Sequence, residues 1–394
     1  MISPNLLEGI KVVEMGQAIA GPFVGTVFAD LGAQVIKVEA PGGDSARTWG
    51  PPDVNGSASV FHYINRNKTS VILDVRNEDD RAVFDKLIEE ADVFVHNLRP
   101  GVAPKLGIDA ETLRTQNPRL IHGDMAAFGH AGDLKDRPGY ELALQAYGGV
   151  LSVTGTPEAG PMRAGPSIMD FGTAMWMTIA TLAALMRRNV TGEGCSLQGS
   201  LLETAMSWMA VHLSNFVVDG KLPVPFGASH QLVSPYGAYE ATDGPIIIAT
   251  GNDNLFVKLA DALGHPEWPG DPRFETNSKR CENREEIDGL IKGIIKTKDK
   301  AHWIQLFADA QVPCVPIQNA ADLMADPQVE AVGIMQPEPG SEVPYVGMPF
   351  SVDGERPPFR RASSTLEEAA DARQQAGEAV AAGESPFERL FSTS

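Results

Sequence analysis

The chain is predicted to be an α/β protein built on a mostly parallel sheet, with a second, smaller domain after it. Three observations carry that prediction. Short apolar runs alternate with helical stretches through the first half, the pattern of a parallel sheet covered on both faces. A linker rich in proline and small residues then separates this half from a group of amphipathic helices. Finally, 394 residues at 43% hydrophobic and 21% charged content suffice for a large core and more than one domain.

The elements follow in order. Residues 10–15 form a first strand, and Gly16 and Gly21 bracket a turn into a helix over 23–31. Further strands fall at 34–38, 70–75, 91–96 and 120–123, with a helix at 78–90 where apolar residues recur at helical spacing. Long helices are predicted at 171–188 and 197–219. The linker spans 220–234, and two strands joined by a turn at 242–245 fill 238–250. Helices at 255–263, 284–296 and 301–311 belong to the smaller domain. Residues 337–358 are proline-rich and extended, and 366–382 are helix-prone. The expected organisation is a large domain over 1–219, a small domain over 235–325, and a C-terminal segment over 326–394 that returns to the large domain.

Composition excludes several classes. A net charge of −19 disfavours nucleic acid or an anionic membrane as partner. Three cysteines without a C-x-x-C pair point to a reducing cytoplasm, with no disulfide framework and no zinc site. The opening MISPNLLEGIKVVEM lacks the basic and apolar regions of a secretory signal. The turn after the first strand reads G-x-x-x-x-G-P and not G-x-G-x-x-G, so a nucleotide-dependent oxidoreductase rests on fold analogy alone.

The most informative stretch is RAGPSIMDFGTAMWMTIATLAALMRR, residues 163–188. Asp170 precedes a 13-residue, largely apolar run that ends at Arg187 and Arg188. The run is too short and too closely flanked by charge to span a bilayer, and its polarity suits a helix dipole. A carboxylate held against free backbone N–H groups stays ionised, as a nucleophile must. Judged by local sequence alone, an ordinary helix cap is the favoured reading.

A series of blocks lifts Asp170 above that reading. VVEMGQAIAGPFVGTVFADLGAQVIKVEAPGGDSAR opens the series, followed by NRNKTSVILD, VFVHNLRPGVAPKLG and RPGYELALQAYGG. The Asp170 stretch, TGEGCSLQGSLLETA, SPYGAYEATDG, DPRFETNSKR and VPCVPI complete it. In this order the blocks resemble the family III CoA-transferases, which include carnitine CoA-transferase and formyl-CoA transferase types. The resemblance implies a Rossmann-like large domain, a smaller α/β domain and a homodimer of interlocked rings. It also implies transfer of CoA from an acyl-CoA to a carboxylic acid, through a mixed anhydride and then a thioester on Asp170. CoA and its esters would be substrates, with no permanently bound cofactor and no metal.

The same resemblance assigns CoA contacts to Leu73 and Arg76, Asn97 and Leu98, Lys105, Arg137 and Tyr140, and places Gln17 and Ala20 near the acyl group. Cations that suit the CoA phosphates occur at Arg66, Lys68 and Arg76, at Arg99 and Lys105, and at Lys135 and Arg137. The acids are expected to be small dicarboxylates such as succinate; Arg163, just upstream of Asp170, is a candidate partner for a second carboxylate or else a surface or structural residue. Ile19 stands where formyl-CoA transferases carry glutamine, and 226–231 read FGASHQ without a glycine run, which argues against formate or oxalate. The α-methylacyl-CoA racemases, of the same superfamily, use a histidine where this chain has Tyr140. With an ordinary pKa of about 10, tyrosine is a poor α-proton base.

Overall fold

The computed structural model describes residues 5–341 and 343–392, so the first four residues of the opening segment, Glu342 in the proline-rich stretch and the last two residues lie outside it. Six parallel strands form the central sheet: Lys11–Met15 (β1), Gln34–Glu39 (β2), Thr69–Ile72 (β3), Val93–His96 (β4), Ile121–Ala126 (β5) and Ser196–Ser200 (β6). Their spatial order is β6-β5-β4-β1-β2-β3, every neighbouring pair parallel. This is the doubly wound order, whose chain reverses direction of travel between β1 and β4.

Alternate strand residues feed two separate cores. Val13, Ile36, Val38 and Phe94 pack on one face, under helix Glu78–Glu90. Ala372, Ala376, Phe387 and Leu390, from the C-terminal helices Leu366–Ala382 and Pro386–Phe391, join that core. Val12, Val35, Val95 and Ile121 pack on the other face, against Val24 and Phe28 of helix Ala20–Asp30 (α1) and Ala174, Met177 and Leu185 of helix Ile168–Thr191 (α2). Both faces are covered, as the apolar runs require.

Two expectations are corrected here. Residues 197–219 are not one helix: 196–200 form the sheet's edge strand, and helices Leu201–Trp208 (α3) and Ala210–Asp219 (α4) follow. Ser200 accepts from the Glu203 amide and so starts α3. Helix α2 is 24 residues long, well beyond the 13-residue run. By length and hydropathy it could cross a membrane, so run length no longer argues against that. Half of its apolar window is nevertheless buried in this core, and near its end Arg188 is buried in an ion pair with Asp92 at 2.7 Å.

The chain divides into two compact units, one of Met1–Leu151, Arg163–Lys221 and Glu330–Ser394, the other of Ser152–Met162 and Leu222–Val329. The C-terminal segment falls within the first unit. There the Asn67 amide donates to the Arg361 carbonyl at 2.9 Å, and Arg373 pairs with Asp80 at 2.6 Å. The second unit carries a three-stranded antiparallel sheet of Tyr236–Ala241, Gly244–Ala249 and Cys314–Pro316, backed by helices Asp253–Ala262, Arg284–Ile295 and Lys300–Asp309. Residues 152–162, expected in the large domain, belong to this unit, where the Gly227 amide donates to Gly155 at 2.7 Å. Residues 222–234, most of the expected linker, belong to the second unit as well: fully buried Arg280 donates to the Ser234 carbonyl at 2.7 Å.

Candidate active site

Because connections leave β1 and β4 in opposite directions, a crevice opens beyond their C-terminal ends. Gly16 and Gly21 let Asn97 enter the turn after β1, since a Cβ on either would lie within 2.9 Å of its amide oxygen. Asn97 then binds the Gln17 backbone at both ends, accepting from its N–H at 2.9 Å and donating to its carbonyl at 3.0 Å. The cavity beside this clasp has a volume of about 260 Å³, and its walls include Gln17, Asp44, Leu73, Arg76, Leu98 and Val102. Four residues expected at a CoA or acyl site thus share one crevice, with Asn97 bonded to its rim.

The cations are arranged differently. Arg76 is exposed and grips Asp74 with two bonds, at 2.7 and 2.9 Å. Lys105 is exposed on helix Val102–Leu106, and its neighbours Val102 and Leu106 reach the crevice wall. Arg66 and Lys68 are corrected as phosphate partners, because both are fully buried: Arg66 pairs with Asp30 at 2.8 Å and Lys68 with Glu14 at 3.2 Å. Ala20 is also buried, as the first residue of α1, and presents no side chain to a ligand. Ile19 packs in a cluster with Ala46, Phe61 and Ile64.

Asp170 lies in the first turn of α2. Phe171 beside it meets Phe23 of α1 edge-on, ring centres 4.8 Å apart, so α2 and α1 begin at the same end of the sheet. The expectation of a capping carboxylate kept ionised by backbone N–H groups is corrected. Ser167 is the cap residue, its hydroxyl accepts from Arg163 at 3.3 Å, and none of the described residues donates a hydrogen bond to the Asp170 carboxylate. Burial, reinforced by the nearby Glu141 carboxylate and opposed by Arg163, pushes Asp170 up to about 7.

The environment of Asp170 is itself fixed. Glu141 opens helix Glu141–Tyr147, accepts from buried Gln145, and pairs with Arg163 at 3.3 Å. The Gln145 amide oxygen accepts from the Ala164 N–H at 2.9 Å, tying the segment before α2 to this helix. Tyr140, just ahead of Glu141, is 72% exposed, and exposed Arg137 lies 5.8 Å from the Phe128 ring. Neither of these two lines the crevice between β1 and β4. Glu141 and Gln145 escaped the sequence reading, although a glutamate and a glutamine four residues apart at a helix start were the available signal.

The family model for CoA-transferase family III matches residues 7–368. Among curated proteins, the acetyl-CoA:oxalate CoA-transferase of Acetobacter aceti is 34% identical over 90% of this chain and 91% of its own. The succinate–glutarate CoA-transferase of Agrobacterium fabrum is 34% identical over 92% and 93%. The crystal structure of a CAIB/BAIF family protein from Brucella suis superposes with a TM-score of 0.83 at 38% identity, covering 94% of this chain and 99% of that one.

Proposed function

This chain belongs to CoA-transferase family III, and on that premise we propose that Asp170 carries the acyl and CoA groups in turn between an acyl-CoA donor and a dicarboxylate acceptor. The Asp170 carboxylate oxygen attacks the thioester carbonyl, the C–S bond breaks, and CoA leaves as thiolate. The thiolate attacks the aspartyl carbonyl of the mixed anhydride, the C–O bond breaks, and the donor acid departs. An acceptor carboxylate displaces CoA thiolate from the aspartyl thioester, and the thiolate takes the acceptor's acyl group from the second anhydride. Asp170 is regenerated and no net proton moves. Each barrier is divided by a covalent intermediate.

The observation that carries this reading is the setting of Asp170: a partly desolvated carboxylate in a helix's first turn, poised near neutrality between Glu141 and Arg163. Arg163 is the cation within electrostatic reach, available to a second carboxylate of the acceptor once it leaves Glu141. The dicarboxylates succinate and glutarate in the name of the Agrobacterium fabrum relative agree with that, while oxalate in the name of the Acetobacter aceti relative runs against the expectation drawn from Ile19 and residues 226–231. The exposed tyrosine at 140 gives no histidine for α-proton transfer.

The interlocked homodimer is proposed with it. Helix α4 is largely apolar yet has no buried residue, and Val217 and Val218 are more than four-fifths exposed. Helix α3, which runs directly into α4, exposes Met206 and Trp208, and α2, whose Trp176 ring lies 6.4 Å from that of Trp208, exposes Trp176 and Ile179. Apolar side chains exposed in this number call for covering, and a second copy of the chain is the cover proposed.

The direct test is CoA transfer from succinyl-CoA to glutarate, oxalate and a monocarboxylate, followed by chromatography of the new thioester. Transfer to a dicarboxylate is expected, with KM raised selectively for dicarboxylates by Arg163→Met. Absence of any transfer, with deuterium entering the α-carbon of a branched acyl-CoA, would replace this reading by the racemase.

A further inference from the structure

A cluster of buried charges that the transfer chemistry does not use lies directly behind the turn after β1. Glu14 of β1 and Lys37 of β2 sit opposite one another in the strand register, both with no exposure. Glu14 accepts from the Gly16 N–H and from Lys68 at 3.2 Å, and lies 3.4 Å from Lys37. Lys37 donates to the Gly16 carbonyl at 3.0 Å and pairs with Asp44 at 2.9 Å. Asp44 in turn accepts from the Ala18 N–H at 3.1 Å, and its own N–H is held by Glu39, which is clamped by Arg47. Lys68 also donates to the Pro22 carbonyl at 2.6 Å, inside the first turn of α1.

Together with Asn97, these side chains bind the backbone N–H and C=O of Gly16, the N–H and C=O of Gln17, and the N–H of Ala18. Ala18 is held at a φ of 61°, a conformation a non-glycine residue adopts at a cost. The backbone is therefore fixed in a strained form while the Gln17 side chain stands exposed at the crevice wall. A core that needed only stability would be served as well by apolar residues, since buried ion pairs rarely outperform them. Charges that converge on one turn, and on both ends of its peptide groups, fix a position.

We propose that Glu14, with Lys37, Lys68 and Asp44 arranged around it, is a positioning residue for the acyl-CoA turn, acting through the placement of Gln17. The inference rests on the transfer reading above and adds residues that never touch substrate. Lys68 accords with it: burial, together with Lys37, pulls its ammonium down to about 8 against the opposing pull of Glu14, so the lysine is kept charged chiefly by that one carboxylate.

A double-mutant cycle tests this in the full-length protein. Wild type, Glu14→Gln, Gln17→Ala and the double variant are compared for kcat/KM with succinyl-CoA and for CoA affinity by calorimetry. Glu14→Gln is expected to cost about tenfold when Gln17 is present and less than about twofold in the Gln17→Ala background. Equal losses in both backgrounds would assign Glu14 a merely structural role and overturn the proposal. Should Glu14→Gln not fold, Asp44→Asn, which keeps the shape and removes the charge facing Lys37, is read in the same cycle with the same criterion. Intact CoA binding without transfer in the wild type would sink the transfer reading alone, and the cycle is then scored on affinity.

Discussion

A carboxylate that attacks a thioester meets two opposed demands: it must be ionised, and it must have shed enough water to be reactive. In the proposed mechanism Asp170 meets both with the help of Glu141 and Arg163, which act on it with opposite sign while paired to each other. Only the ionised form attacks, so kcat/KM with a CoA ester should rise with pH and level off above about 7. Glu141→Gln removes the neighbouring negative charge and should move that limb to lower pH, whereas Arg163→Met should move it higher; initial rates across pH 5–9 decide it. Stability has its own sign. The folded carboxyl titrates above its ordinary 3.8, so its ionisation penalises the fold, with no penalty below about pH 4, a growing one towards 7, and a constant one beyond. Asp170→Asn should therefore raise Tm more at pH 8 than at pH 4.5. At this scale the sequence singled out Asp170 with Arg163 and Asn97 with Gln17, but gave no role to Glu141 or Gln145. Glu14 and Lys37 were visible as charges inside apolar strands, VVEM and VIKVE, yet only the folded register sets them opposite each other.

The start of α2 is located by its packing on neighbouring helices. A Cβ on Gly172 would come within 2.8 Å of both Thr204 and Trp208, so α2 and α3 touch there at closest approach. Gly172→Ala should cost about 1–3 kcal/mol in chemical unfolding and should also lower activity, because Asp170 lies two residues away. At the other end of the chain, Thr365 and Glu368 cap Leu366–Ala382 reciprocally, and Thr365→Ala should cost about 1 kcal/mol with little effect on turnover. Here the sequence reading holds: the helix-prone stretch 366–382 is a helix with those same limits. Strand β6 had no local signal. Ser-Leu-Gln-Gly-Ser at an open sheet edge offers neither an apolar run nor alternation that separates it from the helix behind it. Only pairing with β5 makes it a strand.

At the scale of the molecule, the parallel sheet was legible because short apolar strands alternate with helices through the first half, and the C-terminal return was expected from family resemblance. The inclusion of residues 152–162 in the second unit was not, since a short hairpin's partner lies far away in sequence. The exposed apolar residues of α2, α3 and α4 lead to a prediction at this scale: if a second copy covers them as proposed, Val217→Asp with Val218→Asp should leave a monomer and abolish transfer together, as light scattering and the CoA assay would register. The proposed transfer depends above all on a covalent bond to Asp170. The measurement that tests it most directly is peptide mass spectrometry after mixing the enzyme with succinyl-CoA and quenching with hydroxylamine. A hydroxamate on Asp170, absent from Asp170→Ala and accompanied by a loss of turnover of about 10³-fold or more in that variant, is the predicted result. Transfer that proceeds in the wild type with no adduct on Asp170, or persists in Asp170→Ala, would contradict it.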